Sequence, residues 1–176
     1  DQLIFLPMQS IALAATTFVG QNFGAGRFDR IHRGQRAGYA LAIATSVLIA
    51  ALMAVLGKPI LSGFISGTPE EVTQTLGIAL RYLMVMSLCL PVLYAIYVSR
   101  SSLQGIGNTA IPVASGLVEL VMRTGMVFLL PVFLGNEGVF FAEVSAWVGA
   151  DLVLIPGWFL AIKKMEKHYK SVDILP

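Results

Sequence analysis

Residues 2–26 carry no charged side chain, and neither do residues 37–57 or 82–99. Two further apolar runs hold two charges each: Glu119 and Arg123 within 111–134, and Glu143 and Asp151 within 138–162. A helix needs roughly 20 mainly apolar residues to cross the hydrocarbon core of a bilayer. Backbone N–H and C=O groups find no water in lipid, so each run has to close its own hydrogen bonds as a helix. The chain therefore reads as an all-α integral membrane protein. Its five transmembrane spans are expected at about 2–26, 37–57, 76–99, 111–134 and 138–162, followed by a cytoplasmic tail, 163–176. Only 12% of the 176 residues are charged, against roughly 25% in soluble domains, so lipid is the expected solvent.

The joints between the runs are punctuated as helix ends. At 68–71 the sequence is Thr-Pro-Glu-Glu. Thr68 suits the N-cap, Pro69 the first helical position, and Glu71 the capping-box position three residues on. The third helix is thus expected to begin near 69 on the surface and to enter the membrane near 82. Asn108 or Thr109 caps the fourth helix, with Pro112 in its first turn. Gly135-Asn136-Glu137-Gly138 is long enough only for a helical hairpin. Pro7, Pro91, Pro131 and Pro156 fall in or near spans, where prolines are tolerated and often kink the helix.

Lys and Arg are distributed unevenly. With five spans, one side of the membrane receives Arg27, Arg30, Arg33, Arg36, Arg100, Lys163, Lys164, Lys167 and Lys170, and the other only Lys58 and Arg81. The basic side is expected to be cytoplasmic, which puts the C-terminus inside the cell and places the chain in the cytoplasmic membrane. The abrupt change after Gly26 marks a helix leaving the bilayer, with Arg27, Arg30, Arg33 and Arg36 anchoring a short connector to anionic head groups. The first residue, Asp1, leads directly into apolar sequence with no basic stretch before it. That is not a signal peptide, and the chain reads as part of a longer protein.

Several functions are excluded. The single cysteine, Cys89, cannot build a disulfide framework. His32 and His168 lie in basic polar stretches, and no metal site is expected. Gly105 and Gly107 follow no strand, so they form no nucleotide loop, and no nucleic-acid partner is expected. A membrane enzyme would need a nucleophile or a metal cluster, and Ser101 and Ser102 beside Arg100 do not make one. A scaffold protein would have no use for acids inside its spans.

Four stretches carry a family resemblance. Residues 19–31 (VGQNFGAGRFDRI) resemble the second helix and following loop of one half of multidrug and toxic compound extrusion (MATE) transporters, through Gly20, Gln21, Asn22, Gly24 and Ala25. Residues 103–112 (LQGIGNTAIP) resemble the loop after the fourth helix, through Gly105, Gly107, Asn108, Thr109 and Pro112. Residues 115–123 (SGLVELVMR) resemble the fifth helix, through Gly116, Glu119 and Arg123. Residues 138–150 (GVFFAEVSAWVGA) resemble the last helix, through Glu143 and Trp147, with Val144 where relatives often carry Pro. The resemblance implies twelve helices in two six-helix lobes, this chain being the C-terminal lobe without its first helix.

It also implies an antiporter rather than an enzyme. The function expected is multidrug efflux of amphiphilic organic cations or other toxic compounds, driven by a proton or sodium gradient as the two lobes rock. The other partners implied are membrane lipid and the N-terminal lobe, and no cofactor is implied beyond the coupling ion. Some members carry an acid in the helix matching 82–99, and this chain has none there. The coupling carboxylate is therefore expected in the N-terminal lobe, with this lobe as cavity wall and moving body. A flippase of lipid-linked precursors is the alternative. Such proteins gather several deep cations, whereas here Arg123 stands alone among acids.

The charges inside the spans are the candidate site. A central Asp or Arg costs roughly 2.5–3.5 kcal/mol on insertion scales, so such groups face a cavity or a partner. Glu119 and Arg123 are spaced for a helical pair, and Glu143, Trp147 and Asp151 share roughly one face. With the hairpin centred near Asn136-Glu137, Arg123 lies about 13 residues before the centre and Asp151 about 14 after it. Arg123 is thus expected to bridge Glu119 and Asp151, while Glu143 sits near the outer water. These four residues serve either as structural ion pairs or as a substrate or proton path. Gln21 and Asn22 are helix-end hydrogen-bonding groups or substrate contacts, and Asn108 is a motif or helix-end polar group. Tyr94, Tyr97, Trp147 and Trp158 are read as packing or as cavity aromatics able to hold a cation. Met84 and Met86 are read as core. Gly20 and Gly24, four apart, allow close helix packing.

Overall fold

A computed structural model describes residues 2–172. Asp1 and the last four residues of the expected 163–176 tail lie outside the described residues. Five α-helices follow one another: α1 (Gln2–Gly24), α2 (Phe28–Ser62), α3 (Pro69–Gly105), α4 (Ala110–Leu134) and α5 (Gly138–Val172). A single 3-10 turn, Gly135–Glu137, joins the last two. No strand occurs among the described residues. Four of the helices, α2 to α5, are long and apolar enough to cross a membrane, and α1 is a charge-free helix of 23 residues outside that set.

The helices are longer than the apolar runs. The first arginine-rich connector shrinks to Ala25–Arg27, so Arg30, Arg33 and Arg36 sit on the first turns of α2 rather than in a loop. Thr68 caps α3 as its sequence indicates. Its Oγ1 accepts from the Glu71 N–H at 3.4 Å, the Glu71 carboxylate accepts from the Thr68 N–H at 3.0 Å, and Pro69 opens the helix. Of the two candidate caps before α4, Asn108 does the capping: its Oδ1 accepts the Ile111 N–H at 3.2 Å, while Thr109 holds the N-cap position without a side-chain cap bond.

α3 is the hub, packing on α1, α2 and α5, while α4 and α5 pair as an antiparallel hairpin. Its crossing with α1 is backbone on backbone. A Cβ on Gly105 would lie 2.8 Å from the Thr16 carbonyl oxygen and 3.2 Å from the Gly20 nitrogen. Gly20 thus packs closely as its sequence context implies, against Gly105 rather than with Gly24, beside which a Cβ would meet nothing within 4 Å. Tyr94, Trp158, Leu103 and Leu154 are fully buried in the core. α4 buries only Pro112 and Ser115, and Leu117, Leu120, Val121, Phe128 and Val132 stand exposed along it. So much uncovered apolar surface is what a helix facing lipid or another membrane body presents.

Candidate functional site

α3, α4 and α5 bring four charged side chains into one chain of contacts. Arg100 on α3 sits with Nη2 3.2 Å from Glu119 Oε2 on α4. The other oxygen of Glu119 meets Arg123 Nη2 at 2.9 Å, one helical turn on. The same guanidinium nitrogen lies 2.9 Å from Glu143 Oε1 on α5. The order is cation, acid, cation, acid, so the ladder is neutral as a whole. Ser115 steadies its inner end: its hydroxyl donates to the Pro112 carbonyl at 2.8 Å and accepts from Arg100 at 3.3 Å. The four charged side chains line a pocket of about 270 Å³ whose apolar and aromatic walls include Phe5, Leu93, Tyr97 and Trp147.

The bridge from Arg123 to Asp151 does not form, and Glu143 takes that place. The reason is helix register. Gly138 lies against Leu130 and Pro131, Gly149 against Met122, and Gly157 against Ile111. The hairpin therefore folds about Leu134 and Gly135, earlier than Asn136-Glu137, and Arg123 stands level with the stretch between Glu143 and Trp147. The same shift brings Glu143 into that ion pair, with its side chain still 30% exposed.

Asp151 is not among the residues that line this pocket. It is half-buried, near enough to Arg100 and to Tyr39 on α2 for their charges and dipoles to interact. Its Oδ1 and the Nε of Arg100 are both buried without a hydrogen-bond partner among the described residues. Beyond it runs a polar seam between α2 and α3. Ser99 Oγ donates to the Ala95 carbonyl at 2.7 Å, which leaves the Tyr39 hydroxyl to donate to Ser99, also at 2.7 Å. Ser102 donates to Gln35 Oε1.

The helix-end residues stay local. Asn22 is buried and donates to the Phe18 carbonyl within α1 at 2.8 Å, Gln21 is exposed, and Asn108 caps α4. None of the three lines the pocket. Of the aromatic candidates, Tyr94 and Trp158 are core, whereas Tyr97 and Trp147 are pocket wall.

Arg100, Tyr39 and Gln35 escaped the sequence reading. Arg100 followed an apolar run and preceded Ser101-Ser102, so it counted as a loop residue. Those serines are instead buried in helix α3, which continues to Gly105. The available signal was Glu119, an acid in a span with a second oxygen to satisfy.

Residues 1–129 match the model of the MatE family. The chain belongs to that family. It is a transporter family, so this MatE chain is not an enzyme. The fold also superposes on a solved structure, the inward-facing conformation of a multidrug resistance MATE family transporter of the MOP superfamily. The TM-score is 0.84 at 18% sequence identity, over 94% of this chain and 38% of that one. This chain thus corresponds to well under half of that transporter. No curated protein matches it. Among the family-like residues, Gly20 and Gly105 set a helix crossing, while Glu119, Arg123, Glu143 and Trp147 meet at the pocket.

Proposed function

We propose that this chain is the C-terminal lobe, lacking its first helix, of an antiporter that exports amphiphilic organic cations. An inward proton or sodium gradient drives the exchange. The observation that carries the reading is the neutral ladder Arg100–Glu119–Arg123–Glu143 along a pocket walled by Tyr97 and Trp147. Two carboxylates amid aromatic walls attract an organic cation, and the two arginines prevent it from binding too tightly to leave. The N-terminal lobe completes the cavity and carries the principal coupling carboxylate. The basic helix ends face the cytoplasm.

Glu143 is the acid a substrate reaches most directly, because it is more exposed than Glu119 (30% against 22%) and, among the described residues, its one ion pair is to Arg123. Releasing that tie frees Arg123 from α5 and loosens the α4–α5 pair. Arg100 can likewise exchange Glu119 for Asp151, since Arg100 Nε and Asp151 Oδ1 are both buried without a partner among the described residues. Substrate and coupling ion would favour different pairings, and differential affinity of this kind shifts a population between outward-open and inward-open states. The aromatic walls, Tyr97 and Trp147, offer a cation a face that a phosphate-bearing lipid precursor cannot use, which disfavours the flippase alternative.

The test uses the intact transporter in liposomes with a fluorescent cationic dye, under a proton gradient and a sodium gradient imposed separately. Dye movement coupled to one of them is the expected result. Glu143→Gln should then lower the rate, and Asp151→Asn should alter coupling more than dye affinity. Folded protein that moves no dye under either gradient would refute the reading.

A further inference from the structure

Two cavities meet at the start of α2, and their chemistry differs. The larger, about 570 Å³, is a groove between α1 and α2 walled by Ile11, Ala14 and Val19 on one helix and Ala37, Gly38 and Leu41 on the other. On α2 it runs from Arg30 to Leu41, about 16 Å at the helical rise per residue. That is close to the depth of one leaflet, half of the roughly 30 Å hydrocarbon core. The second cavity, about 410 Å³, lies beyond the arginines between the α1–α2 turn and the end of α5. Arg27, Arg30, Arg33 and Lys170 line it against only Asp29 and Glu166.

Arg30 and Arg33 line both cavities. Neither pairs with a carboxylate among the described residues: Arg33 spends only its Nε, on the Asp29 carbonyl at 3.4 Å. Glu166 is already engaged, by Lys170 at 2.7 Å and His32 at 3.5 Å. Aromatic packing braces the turn that borders the polar cavity. Tyr169 of α5 packs edge-on against Phe28 with ring centres 5.6 Å apart. Its ring fills the space beside Gly26, whose φ of +67° closes the turn.

We propose that this pair of cavities is a binding site for one anionic phospholipid. Its phosphate lies between Arg30 and Arg33, and one acyl chain runs down the α1–α2 groove. The excess of cations selects the head group, and the apolar groove of single-leaflet length selects a lipid over a soluble anion. This goes beyond a basic loop attracted to the membrane surface, because the charge and the groove are joined at two residues. It does not depend on what the protein transports.

The test uses the full-length protein in phosphatidylcholine nanodiscs doped with a probe lipid bearing a photoreactive acyl chain, either phosphatidylglycerol or phosphatidylcholine. The phosphatidylglycerol probe should label residues 11–19 and 30–41 about tenfold more than the phosphatidylcholine probe. Arg30→Gln with Arg33→Gln should reduce that preference to about threefold or less. Ala37→Phe, at an exposed groove position, should abolish groove labelling while leaving the arginines in place, and Ala14→Leu provides a second block should the first variant fail to fold. Equal labelling by the two probes would overturn the proposal, as would labelling spread evenly over α4 or indifferent to both blocking variants. Cross-links from the groove to another segment of the polypeptide, or to a second copy, would also overturn it, since protein would then cover the groove.

Discussion

Arg123 and Glu143 are joined at 2.9 Å across the α4–α5 hairpin, and the same guanidinium nitrogen holds Glu119 on its own helix. One cation thus ties two acids on two helices. Arg123 is 44% exposed and Glu143 30%, so the pair is worth far less than a dry one. A double-mutant cycle of Arg123→Met and Glu143→Gln, read by denaturant unfolding of the full-length protein, should give a coupling of about 1 kcal/mol. The cycle of Arg123→Met with Asp151→Asn should give close to zero.

The α1–α3 crossing should be intolerant of a single methyl group. A Cβ on Gly105 points at backbone atoms, 2.8 Å from the Thr16 oxygen, and a backbone cannot rotate out of the way. Gly105→Ala is expected to destabilise by roughly 1–3 kcal/mol through overpacking. Gly24→Ala, which meets nothing within 4 Å, should be close to neutral. Thermal unfolding of the two variants side by side checks the contrast.

The start of α3 depends on its cap. Thr68→Ala removes the acceptor for the Glu71 N–H and the partner of the Glu71 carboxylate. The expected loss is about 1 kcal/mol. Hydrogen exchange should show it locally, as faster exchange at the Glu71 amide with the α1–α3 crossing unchanged.

The seam between α2 and α3 is held by the Tyr39 hydroxyl on Ser99 at 2.7 Å. Tyr39→Phe keeps the ring and deletes the donor. It should cost about 1 kcal/mol, and because Ser99 still donates to Ala95, no buried hydroxyl donor is stranded. Ser99→Ala should cost more, since it leaves the Tyr39 hydroxyl without its acceptor. Unfolding midpoints of the two variants rank them.

Helix existence and order were legible in the sequence because lipid imposes a length and an apolarity that composition alone reveals. The four charged residues inside the apolar runs of α4 and α5, Glu119, Arg123, Glu143 and Asp151, were legible for the same reason, their insertion cost marking them as paired or functional. Glu119 and Arg123 were also correctly joined, since four residues on one helix fix a distance. The partner of Arg123 on α5 was not legible. It depends on where a hairpin turns, and Gly138 settling against Leu130 and Pro131 moves the pivot by about two residues. A shift of that size exchanges one acid for another a helical turn or two away.

Arg100 shows the other limit. Apolarity reports where a span can lie in lipid, while the end of a helix is decided by what packs against it. Ser99, Ser101 and Ser102 look like loop chemistry, yet they are small enough to be buried where α3 meets its neighbours, so the helix runs on to Gly105. Sequence by itself determined a bundle of membrane helices with charges that demand partners, because hydrophobicity and spacing are local properties. Tertiary structure alone decided which partners meet, because register and rotation between helices are set by side-chain contacts that no single helix contains.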